Sequence, residues 1–181
     1  MRRFILILFA FLSFTMVKAQ SNSLITNIGA SFTGTGDMWG TMITVGFEHG
    51  FTDRLNLALF YDQQDFSAIY SSDNYVTGEV GVYRTLNMAL GYKLFNISSV
   101  GFYLYAGGYA RSVNDIWGSN NYSTTQRSFD PYKVFSIGYI VMPTFNIALS
   151  DKVQLFTRLS LQNDTHADIT SSAGIGLKML F

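Results

Sequence analysis

The chain has 181 residues, equal numbers of acidic and basic side chains (12 each), no cysteine, 16% aromatic residues and only 13% charged ones. The missing cysteines exclude disulfides, thiolate metal sites and a lipid-carrying N-terminal Cys, so the fold must rest on backbone pairing and packing. The absence of a basic surplus excludes the electrostatic footprint of a nucleic-acid binder.

The first element is a leader. Arg2 and Arg3 precede the apolar run 4–12, and Val17-Lys18-Ala19 forms a small-residue site before Gln20. That order reads as a signal peptide over residues 1–19, cleaved on export. Ser13, Thr15 and Lys18 interrupt the run well short of the ~20 apolar residues a spanning helix needs. The remaining residues 20–181 are of one-domain length. The leader takes three of the 12 basic residues, which leaves nine against 12 acidic and a net charge of −3.

Eight segments then alternate with period two, the signature of strands with one apolar face. In 24–32, Leu24, Thr26, Ile28, Ala30 and Phe32 oppose Asn27, Gly29 and Ser31. In 41–49, Ile43, Val45 and Phe47 oppose Thr44, Gly46 and Glu48; in 54–62, Leu55, Leu57, Leu59 and Tyr61 oppose Asn56, Ala58, Phe60 and Asp62. Segment 76–94 sets Val80, Val82, Leu86, Met88 and Leu90 against Glu79, Tyr83, Asn87, Gly91 and Lys93. Segment 100–111 sets Val100, Phe102, Leu104 and Ala106 against Tyr103, Tyr105, Tyr109 and Arg111. Segment 132–149 alternates on both sides of Pro143, which has no N–H for a ladder and predicts a bulge or kink. Segment 153–162 sets Val153, Leu155, Leu159 and Leu161 against Gln154, Arg158, Ser160 and Gln162. Segment 171–181 sets Ala173, Ile175, Leu177, Met179 and Phe181 against Ser172, Gly174, Gly176 and Lys178.

The links between segments differ in length. Turns at 50–53, 96–99 and 150–152 are short, whereas 63–75 and 112–131 are long, polar stretches; the outer links 34–38 and 163–168 lie between. Short turns at one end and longer loops at the other match an outer-membrane barrel, with its turns in the periplasm and its loops outside. No later apolar run is long enough for a helical span, and in lipid only helices and closed barrels satisfy the backbone. A soluble barrel would carry the same alternation with its apolar face inward. The leader, the link asymmetry and strand lengths near the ~9–11 residues of a tilted crossing favour the membrane form. The predicted fold is therefore all-β, an eight-stranded antiparallel up-and-down transmembrane β-barrel, monomeric and without cofactor.

The ending "GLKMLF" places apolar residues at the third and fifth positions after Gly176, namely Met179 and Phe181. It resembles the C-terminal signal read by the β-barrel assembly machinery of Gram-negative bacteria, differing where Gly174 replaces a polar residue. "GFTDRLNL" (50–57) and "PTFNIALSDKVQLF" (143–156) are similar to turns of the small outer-membrane barrels. Over residues 20–181 the chain resembles the OmpX, OmpW and OmpA-transmembrane-domain type. The resemblance implies an outer-membrane location, contact with membrane lipid and lipopolysaccharide, delivery by that machinery, and no further domain after Phe181. It leaves the activity open.

Inward charges are the first candidates for function. An eight-stranded lumen is just wide enough for side chains, and charges in it must pair. Counting from the turn ends groups Glu48, Lys93, Arg158 and Lys178 into one lower ion-pair cluster, with Asn56 beside Glu48. Asp62, Glu79 and Arg111 form an upper set. A lumen plugged by these groups predicts a structural or surface-interaction role. The alternative is a narrow OmpW-like channel for small solutes. The third reading, a lipid A-modifying enzyme, would need His166 with Asp164, Asp168, Ser171 or Ser172, but Asp168 stands where the deacylase pattern has serine. His49 and His166 are isolated and lack metal-ligand spacing, so neither a metal nor a catalytic residue is assigned.

Aromatic residues near strand ends, Trp39, Phe47, Phe51, Tyr61, Tyr92, Phe95, Phe102 and Phe181, suit membrane-interface girdles. Tyr70, Tyr75, Trp117 and Tyr122 fall in the long links as candidate partner contacts. Arg84 lies among outward apolar residues, where the upper membrane boundary would let it meet lipopolysaccharide phosphates.

Overall fold

The computed structural model describes residues 21–33, 38–72, 75–121, 126–164 and 169–181, with the backbone alone at 70, 72, 75, 117, 119–121, 126–130 and 164. Residues 1–19, expected to be a signal peptide, lie outside the described residues, as do His166, Asp168 and Tyr122 and the side chains of Tyr70, Tyr75, Trp117 and Asp164. Eight strands follow in order: β1 (Ser21–Thr33), β2 (Trp39–Gly50), β3 (Leu55–Ser72), β4 (Tyr75–Ile97), β5 (Val100–Asn121), β6 (Gln126–Ala148), β7 (Val153–Asp164) and β8 (Ile169–Leu180). Each pairs antiparallel with its neighbour and β8 pairs with β1, so the sheet is a closed barrel. Phe181 extends that last seam: its N–H donates to the Asn22 carbonyl at 2.9 Å, and the Asn22 N–H donates to the Phe181 carbonyl at 3.2 Å.

The registers fix the barrel's stagger. From Phe32 the partners run through Ser171, Leu161, Val141, Ala106, Leu90, Leu57 and His49 to Asn22, ten residues below the start on the same strand. A stagger of this size over eight strands tilts them by about 40° and leaves a lumen that side chains fill.

Burial is inverted relative to a water-soluble barrel. Ile28, Leu86 and Leu159 are 65%, 57% and 54% exposed, whereas Asp62, Arg158 and Arg111 are 0%, 1% and 1% exposed. The alternation read from the sequence therefore places its apolar face outward on every strand. Glycine makes room for inward aromatic rings. A Cβ on Gly46 would strike the Phe60 ring, and one on Gly91 the Tyr105 ring, in both cases the cross-strand partner.

Three expectations need correction. The stretches 63–75 and 112–131 are mostly strand rather than loop: β4, β5 and β6 run for 22 or 23 residues against 12 for β2, β7 and β8. Backbone pairing does not require apolar side chains, so alternation continues in polar dress, with Gln64 and Phe66 inward and Gln63 and Asp65 outward. For the same reason Tyr61 is not at a strand end; it sits mid-strand between Val45 and Leu86. Pro143 produces no bulge. Val141 with Leu161 and Thr144 with Arg158 share one register, and the ladder to β7 lapses only between them. Proline removes a donor without adding a residue, and its pairing with Leu104 on β5 is unbroken. The register shift lies instead at Lys93–Phe95, between β4 and β5.

The turns are closed locally. Thr52 Oγ1 accepts from the N–H of Leu55 at 2.9 Å, and Ser150 Oγ from the N–H of Val153 at 3.1 Å, which ties each turn to the start of the next strand. In the β4–β5 turn Ser98 takes φ 53°, the left-handed region, where a serine is strained.

Candidate functional site in the barrel lumen

The inward side chains form layers. Nearest the short turns is Glu48, on β2. Lys178 of β8 donates to its Oε1, as does Asn56 Nδ2 at 3.1 Å, while the Tyr105 hydroxyl donates to Oε2 at 2.5 Å. Three donors from three other strands thus hold one carboxylate that is 4% exposed. Lys93 is half-buried, and no bond to Glu48 is described for it. Its Nζ lies 5.5 Å from the Tyr103 ring centre, as does that of Lys178, so the ring's negative face meets two ammonium groups.

A second layer is apolar. Ile25, Phe60, Met142 and Phe156 are fully buried, and Phe60 lies 6.5 Å from Phe156 and 6.3 Å from Tyr105, ring centre to ring centre. The third layer is ionic again and is centred on Asp62. Its Oδ1 accepts from Arg158 Nη2 at 3.0 Å and Thr44 Oγ1 at 2.7 Å, and its Oδ2 from Asn87 Nδ2 at 2.9 Å. The network continues from Asn87 Oδ1 to Gln162 Nε2 at 3.0 Å, then from Gln162 Oε1 to Arg111. Arg111 also donates to Thr170 at 3.0 Å and Thr85 at 3.3 Å, with the Tyr109 ring centre 4.8 Å away. Above it Met38, Phe66, Tyr83 and Val113 form a second apolar cluster, with Phe66 and Tyr83 4.7 Å apart.

The four residues expected around one site are thus divided. Glu48 and Lys178 are brought together, Lys93 stands aside against Tyr103, and Arg158 belongs to Asp62. Long side chains explain the difference: Arg158 reaches across the lumen from β7 to β3, so its head is nearer Asp62 than its Cα position suggests. Of the upper set, Asp62 and Arg111 share a network, whereas Glu79 lies beyond the Tyr83–Val113 cluster, in the tall part of β4 with Asp115 of β5. Sequence reasoning missed the Tyr105–Glu48 bond and the intervening layer of Phe60 and Phe156. The inward phase of Tyr105 and Phe60 was the available signal.

The other candidates are dispersed. Ser172 faces inward and shares a 2.5 Å bond with Ser160, while Ser171 lies in the opposite phase. His49 Nδ1 is 2.8 Å from Asn22 Oδ1, and its ring stands edge-on to Phe51 at the turn end of β2. Among the described residues no group of three His, Cys, Asp or Glu side chains could hold a metal ion. At the seam Gly176 pairs with Asn27, Met179 with Leu24, and the Phe181 ring centre lies 6.5 Å from that of Phe47. Outside, near the turns, Phe95, Phe102 and Phe145 form a run at 5.2 and 4.7 Å.

No protein-family model matches the chain, and no curated protein matches it. Solved structures do. Ail, the attachment invasion locus protein of Yersinia pestis, superposes with a TM-score of 0.58 at 7% identity, over 91% of this chain and 100% of that one. A major outer membrane protein from Thermus thermophilus gives 0.57 at 11% identity, over 91% and 100%. Neisserial surface protein A gives 0.53 at 14% identity, again over 91% and 100%. The chain has the fold of the small eight-stranded outer-membrane barrels.

Proposed function

We propose that this protein is an outer-membrane barrel of a Gram-negative bacterium, inserted by the barrel assembly machinery, with a structural or surface-interaction role rather than a catalytic or solute-conducting one. The observation that carries this reading is the lumen, crossed by two ionic networks with an aromatic layer between them. A conducting path would have to part Glu48 from Lys178 and Asp62 from Arg158, leaving buried charges unpaired. The fold alone fixes no activity.

The interactive half of the reading rests on the tall hairpins. Above the level where β2 ends, Ile69, Val80, Ile116 and Phe135 are 80%, 56%, 54% and 68% exposed on the outer face of the β3–β6 sheet. Among the described residues, β3 beyond Ser67 has no partner on its β2 side, and β6 before Gly138 none on its β7 side. Exposed apolar groups and open strand edges suit contact with another protein at the cell surface. Arg84, exposed beside Gln63 and Ser112, would in this reading meet lipopolysaccharide phosphates.

The test is solute swelling of proteoliposomes made with the refolded barrel. The proposal expects no uptake of glycerol-sized solutes above protein-free vesicles. Uptake that scales with protein content would favour the narrow channel instead.

A further inference from the structure

We propose that Gly29 on β1 and Gly176 on β8 form a reciprocal lock that fixes the register in which the barrel closes. The inference is independent of what the lumen or the tall hairpins do. It gives Gly176 a task in the folded seam besides its place in the C-terminal segment.

Every strand pair except β8–β1 is joined by a link in the chain. The short turns of β2–β3, β4–β5 and β6–β7 set the register of those pairs. β8 and β1 have no turn between them, so their register must come from the strands themselves. Side-chain alternation does only half of this. A slip of one residue would turn Ile175, Leu177 and Met179 into the lumen, but a slip of two keeps each face as it is. Closure does not exclude a slip of two either. With Leu24 opposite Leu177 in place of Met179, the walk around the barrel from Phe32 returns at Leu24, eight residues below its start instead of ten. A stagger of that size also closes an eight-stranded barrel.

The glycines complete the specification. A Cβ on Gly176 would fall on the carbonyl oxygen of Thr26, and one on Gly29 on that of Ala173. Each strand thus presents a glycine to the other's backbone, and a backbone oxygen held in a ladder cannot rotate aside as the end of a side chain would. At β2–β3, β4–β5 and β6–β7 the same approach runs in one direction, Gly40 with Asp65, Gly107 with Met88 and Gly138 with Asn163. Among the described residues only β8–β1 has it from both sides.

Either slip of two breaks the fit. With Asn27 opposite Gly174, the Asn27 Cβ takes the place of Gly29 against the Ala173 carbonyl. With Ser31 opposite Gly174, the Ser31 Cβ does so, and Lys178 enters the place of Gly176 against Thr26.

The test refolds the whole barrel in detergent micelles, without assembly machinery, and reads register by disulfide formation. The chain has no cysteine, so an introduced pair reports alone. Leu24→Cys with Met179→Cys are opposite one another, at about 5.5 Å between Cα atoms and within disulfide reach. Leu24→Cys with Leu177→Cys are diagonal and come opposite only after a slip of two. In the wild-type background the first pair should oxidise and the second should not. Gly29→Ala and Gly176→Ala should each lower the yield of folded barrel linked through the first pair several-fold. Gly108→Ala, whose added methyl group would meet nothing closer than 3.5 Å, should leave that yield unchanged. Adding Asn27→Gly to Gly29→Ala moves the glycine two residues along β1, and Gly174 then serves for Gly176; this variant should fold and link through the second pair. Wild-type yield through the first pair in either single alanine variant would overturn the proposal. So would a second-pair link in the wild-type background, a first-pair link in the Asn27→Gly, Gly29→Ala variant, or failure of Asn27→Gly to restore folding to Gly29→Ala.

Discussion

Arg158 on β7 donates to Asp62 on β3 across the full width of the lumen, at 3.0 Å, with both side chains entirely buried. Removing one partner leaves the other as an uncompensated charge, which costs about 3–5 kcal/mol in buried pairs, whereas replacing both is often close to neutral. Asp62→Ala should therefore lower unfolding stability in lipid vesicles by about that amount, and Asp62→Ala combined with Arg158→Met should recover most of it. Urea titrations of the three proteins check this. Additive losses in the double variant would show that the pair is not coupled.

The Tyr105 hydroxyl can reach Glu48 because its ring lies over Gly91. Gly91→Ala places a methyl group inside that ring's contact distance and should cost about 1–3 kcal/mol by overpacking. Tyr105→Phe removes only the hydroxyl and should cost about 1–3 kcal/mol through the lost bond to a buried charge. If Gly91→Ala acts by displacing Tyr105, combining it with Tyr105→Phe should cost less than the sum. A double-mutant cycle in urea measures that difference.

Position relative to the bilayer separates two residues that look alike as exposed apolar groups. Leu159 lies in the middle of β7, 54% exposed, and Ile69 lies in the tall part of β3, 80% exposed. Leu159→Arg should destabilise the lipid-embedded barrel by about 2–4 kcal/mol, as for a charge at the midplane. Ile69→Arg, above the membrane, should stay within about 0.5 kcal/mol, as surface changes do. Equal effects at the two sites would contradict the placement of the apolar band.

Phe181 joins β8 to β1 through two backbone bonds to Asn22 and sets its ring beside Phe47. Phe181→Ser keeps the backbone bonds but removes the ring that the resemblance to an assembly signal relies on. Outer-membrane levels in cells should fall and periplasmic degradation should rise, while refolding of the purified chain into detergent changes little. Unchanged surface levels on fractionation and immunoblotting would remove that role.

The fold was legible because alternation survives in every strand: Leu155, Leu159 and Leu161 against Arg158 and Ser160 fix phase, and phase fixes the inside. Strand length was not legible. In 63–72 and 112–121 polar residues interrupt the apolar alternation while the backbone pairing continues, so polar composition imitates a loop. The candidate site was legible in membership and only partly in partnership. Inward phase identified Glu48, Asp62, Arg158 and Lys178, but which acid meets which base depends on how far each side chain crosses a narrow lumen. Counting residues along a strand measures Cα height and not that reach. The bulge expected at Pro143 is absent for a related reason, since composition reveals the missing N–H and not whether a neighbour's register must shift to absorb it.

The central claim, a lumen closed by paired charges, is tested most directly by single-channel recording of the refolded wild-type barrel in planar bilayers, with Glu48→Gln alongside. The wild type should insert without resolvable steady current, and Glu48→Gln, which leaves Lys178 without its carboxylate and Tyr105 with a weaker acceptor, should show frequent openings. A large, steady conductance in every wild-type insertion would contradict the account.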